Sequence, residues 1–375
     1  MNRTEISAKQ MEMTVAMFLV GSSLISSGSS EAQQDTWICV LLAFALSVPL
    51  VWVHARILEL YPGRSYFGNM IQVLGKPAGR TVSVVLLLFT FQLSAFVLRT
   101  FAEFIHIVNM PETPLVAISA CVTAVAVYVL ENRLHVLARI CKFTLPLLIA
   151  TLGVTIALSA PSMELDHLKP FLHSGWSHIA YGTLTYFSMT YGELIVCAPM
   201  FCELDRKEKV FPVFLRGALW GFLILFGADL RNLLILGYSS GVFLFPSFEA
   251  VSVVALGDFF TRIEVLIGIN LLMAGFLKNC VMLTTVCIGI AKTFGYRDYE
   301  PFVAPCALLI MALSEIVQDN TEQLFQWIRY FSYFSIPFQV LLPVLVLIVG
   351  TVRKRRRRPP GKEAEAPRPQ APAAE

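Results

Sequence analysis

Ten runs of about 20 mostly apolar residues, each closed by charged residues or by Pro and Gly, punctuate the chain: 11–30, 36–60, 80–109, 114–130, 134–160, 179–200, 211–236, 262–293, 301–317 and 333–352. A helix of that length crosses a hydrocarbon core roughly 30 Å thick. Inside hydrocarbon every backbone N–H and C=O has to be paired within the segment, so the runs are expected to be helices. Composition agrees, with 56% hydrophobic and 15% charged residues and a mean hydropathy of +0.67. Soluble domains carry about 25% charged residues. An ordinary cytosolic enzyme is therefore excluded, and the expected fold class is an all-α membrane protein with ten transmembrane helices.

The formal charge of +3 is a property of one terminus. Residues 353–375 hold eight Lys and Arg against three Glu, and the remainder has 21 basic to 23 acidic residues. The division is thus a ten-helix domain over 1–352 and a basic, Pro/Ala-rich tail over 353–375, the tail expected to anchor on anionic lipid, and nothing in the charge points to nucleic acid. Among the connections, 22 Lys and Arg fall on the even set with both termini and only Lys169 and Arg329 on the odd set. That bias places both termini in the cytoplasm. Glu5 and Glu12 interrupt the basic region that a signal peptide would need, so the first run is read as a span. Residues 65–74, after Tyr61-Pro62-Gly63, are expected to form a short helix on the cytoplasmic surface. Eight cysteines without a CxxC pair indicate neither a disulfide framework nor a metal ribbon.

Interruptions at mid-depth carry the functional information, because Gly and Ser clusters there free backbone groups that a ligand can use. The first span has its midpoint near Gly21-Ser22-Ser23, with a Ser-rich run and Gly28 beyond, and the sixth near Thr190-Tyr191-Gly192-Glu193. These spans are five apart, the relation of equivalent partners in a 5+5 inverted repeat with broken helices one and six, whose interruptions face a mid-membrane site. Close packing of helices through small residues is the alternative use of the same residues. Ionisable groups inside the spans are costly unless paired or lining water. Arg99 and Glu103, four apart, can pair along one helix face, as a structural or a coupling ion pair. Glu193 follows the sixth-span interruption, and Lys278 lies near the middle of the eighth span, where opened carbonyls of the first are expected to accept from it. Asp229, Arg231, Arg262 and Glu264 are expected to anchor loops, and Glu315 to reach water. No nucleotide loop, HExxH or trusted histidine spacing is present, so no enzyme chemistry, cofactor or metal is expected.

The chain resembles the permease-like B-subunit family of spore germination receptors (GerAB type), within the amino acid–polyamine–organocation transporter superfamily. The resemblance runs from about residue 10 to 352 and rests on Gly21-Ser22-Ser23-Leu24-Ile25, Asp35-Thr36-Trp37-Ile38, Tyr61-Pro62 with Leu74-Gly75-Lys76, and Arg99 with Ala102-Glu103 before Pro111-Glu112-Thr113-Pro114. It continues through Gly192-Glu193, Phe245-Pro246-Ser247, Arg262-Ile263-Glu264 and Gln318-Asp319-Asn320. It implies a leucine-transporter-like fold and a receptor in the inner membrane of a dormant spore. That receptor senses a small nutrient, often an amino acid, beside an A-type membrane subunit and a C-type lipoprotein. It also implies a pocket from the first, third, sixth and eighth helices: Gly21, Ser22 and Ser23, Phe89 to Leu93, Tyr191 and Gly192, and Lys278 with Met282. Family members often carry a proline shortly after the first-helix glycine, where this chain has Gly28. A proton- or sodium-coupled amino acid transporter using Lys278 or Glu193, and a scaffold without a ligand, are the competing functions.

Overall fold

The computed structural model describes residues 6–24, 30–131, 134–205, 207–241, 243–252, 263–317 and 321–356, and every named element among them is helical. Residues 26–29, Arg262, Gln318-Asp319-Asn320 and the tail beyond Arg356, all noted above, lie outside the described residues. The α-helices are α1 (Ala8–Ser23), α2 (Thr36–Leu60), α3 (Tyr66–Leu74), α4 (Lys76–Val108), α5 (Leu115–Glu131), α6 (Leu134–Ser159), α7 (Gly175–Tyr186), α8 (Val210–Leu236), α9 (Pro246–Ser252), α10 (Ile263–Phe294), α11 (Val303–Ile316), α12 (Thr321–Ile336) and α13 (Leu342–Arg356). Among the described residues, six helices are long and apolar enough to cross a membrane. The protein is a multi-pass membrane protein.

Local chemistry sets the ends. Ser7 accepts the N–H of Gln10, whose side chain accepts the N–H of Ser7, a reciprocal cap that starts α1. Ser65 caps α3 by accepting the N–H of Gly68 at 3.1 Å. The short helix expected at 65–74 is therefore present, but it is packed inward: Tyr66, Phe67, Asn69, Met70 and Val73 are buried. Asn69 donates to the carbonyls of Ile57 and Leu58 at the end of α2, which lack helical partners of their own. The last helical stretch begins at Thr321, ahead of the residue 333 expected from hydropathy. Polar residues such as Gln323 end an apolar run without ending a helix, since its hydrogen bonds are indifferent to side-chain polarity.

Two features fix the functional region. At one end of the helices, Ile6 pairs with Leu204 in a parallel bridge, Ile6 N donating to Glu203 O at 2.8 Å and Asp205 N to Ile6 O at 3.1 Å. This joins the start of α1 to the segment after α7, and Glu12 in α1 pairs with Arg216 in α8 at 2.8 Å. At the opposite end the buried Asp35 carboxylate accepts the N–H groups of Leu172 and Ser174 at 2.8 and 3.1 Å, and Ser174 donates to Ala32 O. Arg231 donates to Thr155, Asn232 and the Ser247 carbonyl, holding α9 against α8 and α6, which is the loop anchoring expected of it. Asp229 differs from that expectation: it accepts from Tyr186 Oη at 2.7 Å, a bond between α8 and the end of α7. The side chains of Arg262 and Glu264 lie outside the described ones.

Candidate functional site

Lys278 is the centre of the region. It is fully buried in α10, and its ammonium donates to Glu193 Oε2 and to Ser22 Oγ, each at 2.5 Å. The Phe18 ring lies 4.9 Å from Nζ, its face toward the cation. The acceptors are thus a carboxylate and a hydroxyl, not the helix-one carbonyls expected from sequence. The reason is that α1 does not open at Gly21–Ser23: it stays helical to Ser23, and Leu24 donates back to Val20 O and Ser22 O. Gly21 lets α1 approach α10 closely, since a Cβ there would lie 2.5 Å from Lys278 Cβ and 2.8 Å from Ala274 O.

The sixth run departs from α-geometry where expected, as a change of winding rather than an opening. After α7, Phe187–Tyr191 is a π turn, and Gly192–Val196 and Ala198–Glu203 are 3₁₀ turns. Gly192 N still donates to Phe187 O, Cys197 N to Leu194 O and Met200 N to Cys197 O. These backbone N–H groups of the break, expected to be free, are therefore engaged within the segment. Mid-helix π turns are frequent at functional sites. Thr285 in α10 donates to the Val196 carbonyl at 2.6 Å, and Ser23 and Thr190 hydroxyls are 3.0 Å apart. Hydrogen bonds thus join α1 and α10 to the rewound segment on either side of Glu193.

Of the residues singled out from sequence, Gly21, Ser22, Ser23, Gly192, Glu193 and Lys278 meet in this region. Tyr191 is fully buried between Phe44 and Tyr186, with ring centroids 5.8 and 6.1 Å away. Met282 lies buried one turn beyond Lys278. Phe89 and Leu93 are buried in α4, and Phe89 stacks on Phe338, centroids 4.8 Å apart and planes 12° apart, so it faces the last helical stretch. Arg99 and Glu103 form a different cluster: Arg99 Nε is 3.0 Å from Glu103 Oε1, and Arg99 Nη1 is 3.6 Å from Glu315 Oε2. Ser119 donates to Glu315 at 2.9 Å. Glu315 therefore does not simply reach water as expected; the packing of α11 on α4 gives it a cation.

Gln339 was not singled out. It lies in a second π turn, Pro337–Leu341, is fully buried, and donates through Nε2 to Ser188 O at 2.8 Å while covering Gly192. A neutral amide two residues after a proline in a hydrophobic run was the available signal. Among the described residues there is no group of three His, Cys, Asp or Glu able to hold a metal ion.

Comparison with known proteins shows the family and the fold. The spore permease family of spore germination proteins matches residues 5–323. The chain belongs to that family. Spore germination protein KB of Bacillus subtilis (strain 168) is 26% identical over 373 residues, covering 97% of this chain and all of that protein. In structure, this spore germination protein superposes on Mhp1, a nucleobase-cation-symport-1 family transporter in a closed conformation with bromovinylhydantoin bound, with a TM-score of 0.68 at 13% identity over 95% of this chain and 80% of that one. MhsT in complex with L-phenylalanine gives a TM-score of 0.63 at 14% identity over 92% and 88%. At these identities the likeness is one of fold, that of leucine-transporter-like proteins. As a permease-family member, the chain sits with transporters rather than with enzymes.

Proposed function

We propose that this chain is the membrane subunit of a spore nutrient receptor that binds a small nutrient, of amino acid class, between α1, α4, the rewound segment and α10. Binding changes the packing of these helices and is passed to an A-type membrane subunit and a C-type lipoprotein to start germination. In this reading the chain crosses the spore inner membrane ten times as a 5+5 inverted repeat, has both termini in the cytoplasm, and performs no catalysis. The basic tail adds attraction to anionic lipid of about 1 kcal/mol per Lys or Arg near the surface.

The observation that carries the ligand class is the buried, neutral Lys278–Glu193 pair. A zwitterion can exchange with such a pair, its carboxylate taking the ammonium and its own ammonium taking the carboxylate, with no net charge added. A singly charged ligand would leave one buried charge uncompensated, a cost of about 3–5 kcal/mol when one member of such a pair is lost. The test is a deletion strain assayed for germination across a nutrient panel, then complemented with Gly192→Leu, whose side chain would collide with Gln339. An unchanged nutrient response with Gly192→Leu removes the site from this location.

The coupled-transporter reading draws on the fold shared with Mhp1 and on the same pair, the Lys278 ammonium serving in it as a stand-in for a bound cation. Uptake of labelled amino acid by the purified protein alone in liposomes would favour it over the receptor.

A further inference from the structure

Two π turns meet in this protein. Phe187–Tyr191 lies in the rewound segment after α7, and Pro337–Leu341 interrupts the last helical stretch between α12 and α13. Each π turn displaces the ordinary i to i−4 ladder and leaves carbonyls that need other donors. Gln339 answers one of them, its Nε2 donating to Ser188 O at 2.8 Å. Because a carbonyl accepts and cannot donate, that bond orients the amide and turns Oε1 toward Gly192, where only a glycine leaves it room. Gln339 is fully buried, and its Oε1 has no hydrogen-bond partner among the described residues. The same holds for the hydroxyl of Tyr191, the residue before Gly192. A buried acceptor left unpaired costs roughly 1–3 kcal/mol, so each such group calls for a donor or a functional reason.

The position of Gln339 fits a wall of the ligand site. Its neighbour Phe338 stacks on Phe89 of α4, and Gln339 itself sits against Gly192, one residue from the carboxylate that holds Lys278. This π turn thus bridges the α4 and rewound-segment sides of the region, whereas α1 and α10 close it around Lys278. An orphan acceptor there calls for a ligand donor.

We propose that Gln339 is a specificity-determining residue of the nutrient site, its Oε1 accepting a hydrogen bond from an N–H of the bound nutrient, which selects ligands carrying an amine or amide over those without one. This rests on the receptor reading above and adds a residue and a chemical requirement to it. The bound N–H replaces the Gly192 Cα as the neighbour of Oε1, so occupancy shifts the junction of the two π turns.

The experiment uses deletion spores complemented with wild type, Gln339→Leu or Gln339→Glu, assayed against L-amino acids and the matching des-amino carboxylic acids. The same panel is run as thermal-shift binding on the purified full-length variants. Gln339→Leu should raise the half-saturating concentration of the preferred amine by about tenfold or more with the maximal rate unchanged, the loss of one hydrogen bond to a charged donor. Its discrimination against the des-amino analogue should fall by the same factor. Gln339→Glu keeps an acceptor oxygen but loses the donor to Ser188 that orients it, so its affinity should fall while its discrimination stays above that of Gln339→Leu. Equal loss of discrimination in both variants, an unchanged half-saturating concentration in Gln339→Leu, or a wild type that binds no N–H compound of the panel overturns the assignment. Failure of the receptor reading is seen separately: deletion and complemented spores then germinate alike, while Gln339-dependent binding of an amine to purified protein still upholds the residue's role.

Discussion

Replacing Lys278 by Met removes a cation from a site where Glu193 is only 2% exposed. The ammonium and carboxylate are 2.5 Å apart. At an effective dielectric constant of about 20 their direct attraction is about 7 kcal/mol, most of it offset by the desolvation of both ions on folding. What the single substitution exposes is the remainder: a carboxylate stranded away from water, and the Ser22 hydroxyl short of a charged partner, with a loss of about 3–5 kcal/mol. Glu193→Gln strands the ammonium instead and should cost a similar amount. The double variant Lys278→Met with Glu193→Gln strands neither, because a neutral amide and an apolar chain of similar length fill the space, and its loss should be less than about 2 kcal/mol. With an unfolding entropy that scales with chain length, the single losses correspond to a fall in Tm of roughly 5 °C. A thiol-reactive dye reports unfolding as labelling added to that of the exposed Cys121 and half-buried Cys202, because Cys39, Cys141, Cys197, Cys280, Cys287 and Cys306 are buried in the folded protein. The reasoning is refuted if Lys278→Met melts at the wild-type temperature, or if the double variant melts as low as both singles, which would mean the pair is not what each ion depends on.

Three further substitutions read other parts of the structure. Gly21→Ala places a methyl group against Lys278 and the Ala274 carbonyl, and the resulting overpacking should cost about 1–3 kcal/mol in thermal unfolding while Gly153→Ala, at a position with open space, costs almost nothing. Asp35→Ala removes the acceptor of two backbone N–H groups and should free the loop holding Leu172 and Ser174, seen as faster amide exchange at those two residues and a loss of about 3 kcal/mol. Arg231→Met leaves the Ser247 carbonyl and the Asn232 amide oxygen short of a donor, at a cost of about 2–4 kcal/mol, and limited proteolysis should then cut within residues 246–252 ahead of the rest of the chain.

What could be read from sequence follows from which physical demands are local. Hydrocarbon requires a helix of a certain length wherever an apolar run is long enough, so α2, α4 and α10 lie on or near their expected intervals. The same rule says nothing about how far a helix continues past the apolar stretch, and α12 starts early for that reason. At the site, burial of a cation demands an acceptor, which makes Lys278 conspicuous, but its acceptor Glu193 is 85 residues away and only the crossing of α10 with the rewound segment selects it over a carbonyl of α1. Glu315 is the same case in reverse, a group assigned to water until the packing of α11 on α4 presents Arg99. Gln339 carries no charge, so nothing in the sequence marks its burial as costly. A buried neutral amide with one unsatisfied oxygen is a smaller penalty than a buried ion, yet it is more discriminating, since an ion can be neutralised by any opposite charge while Oε1 is satisfied only by a donor placed beside Gly192. On the proposed reading, the charged pair would set how much charge a ligand brings, and the uncharged orphan would set where its N–H has to be.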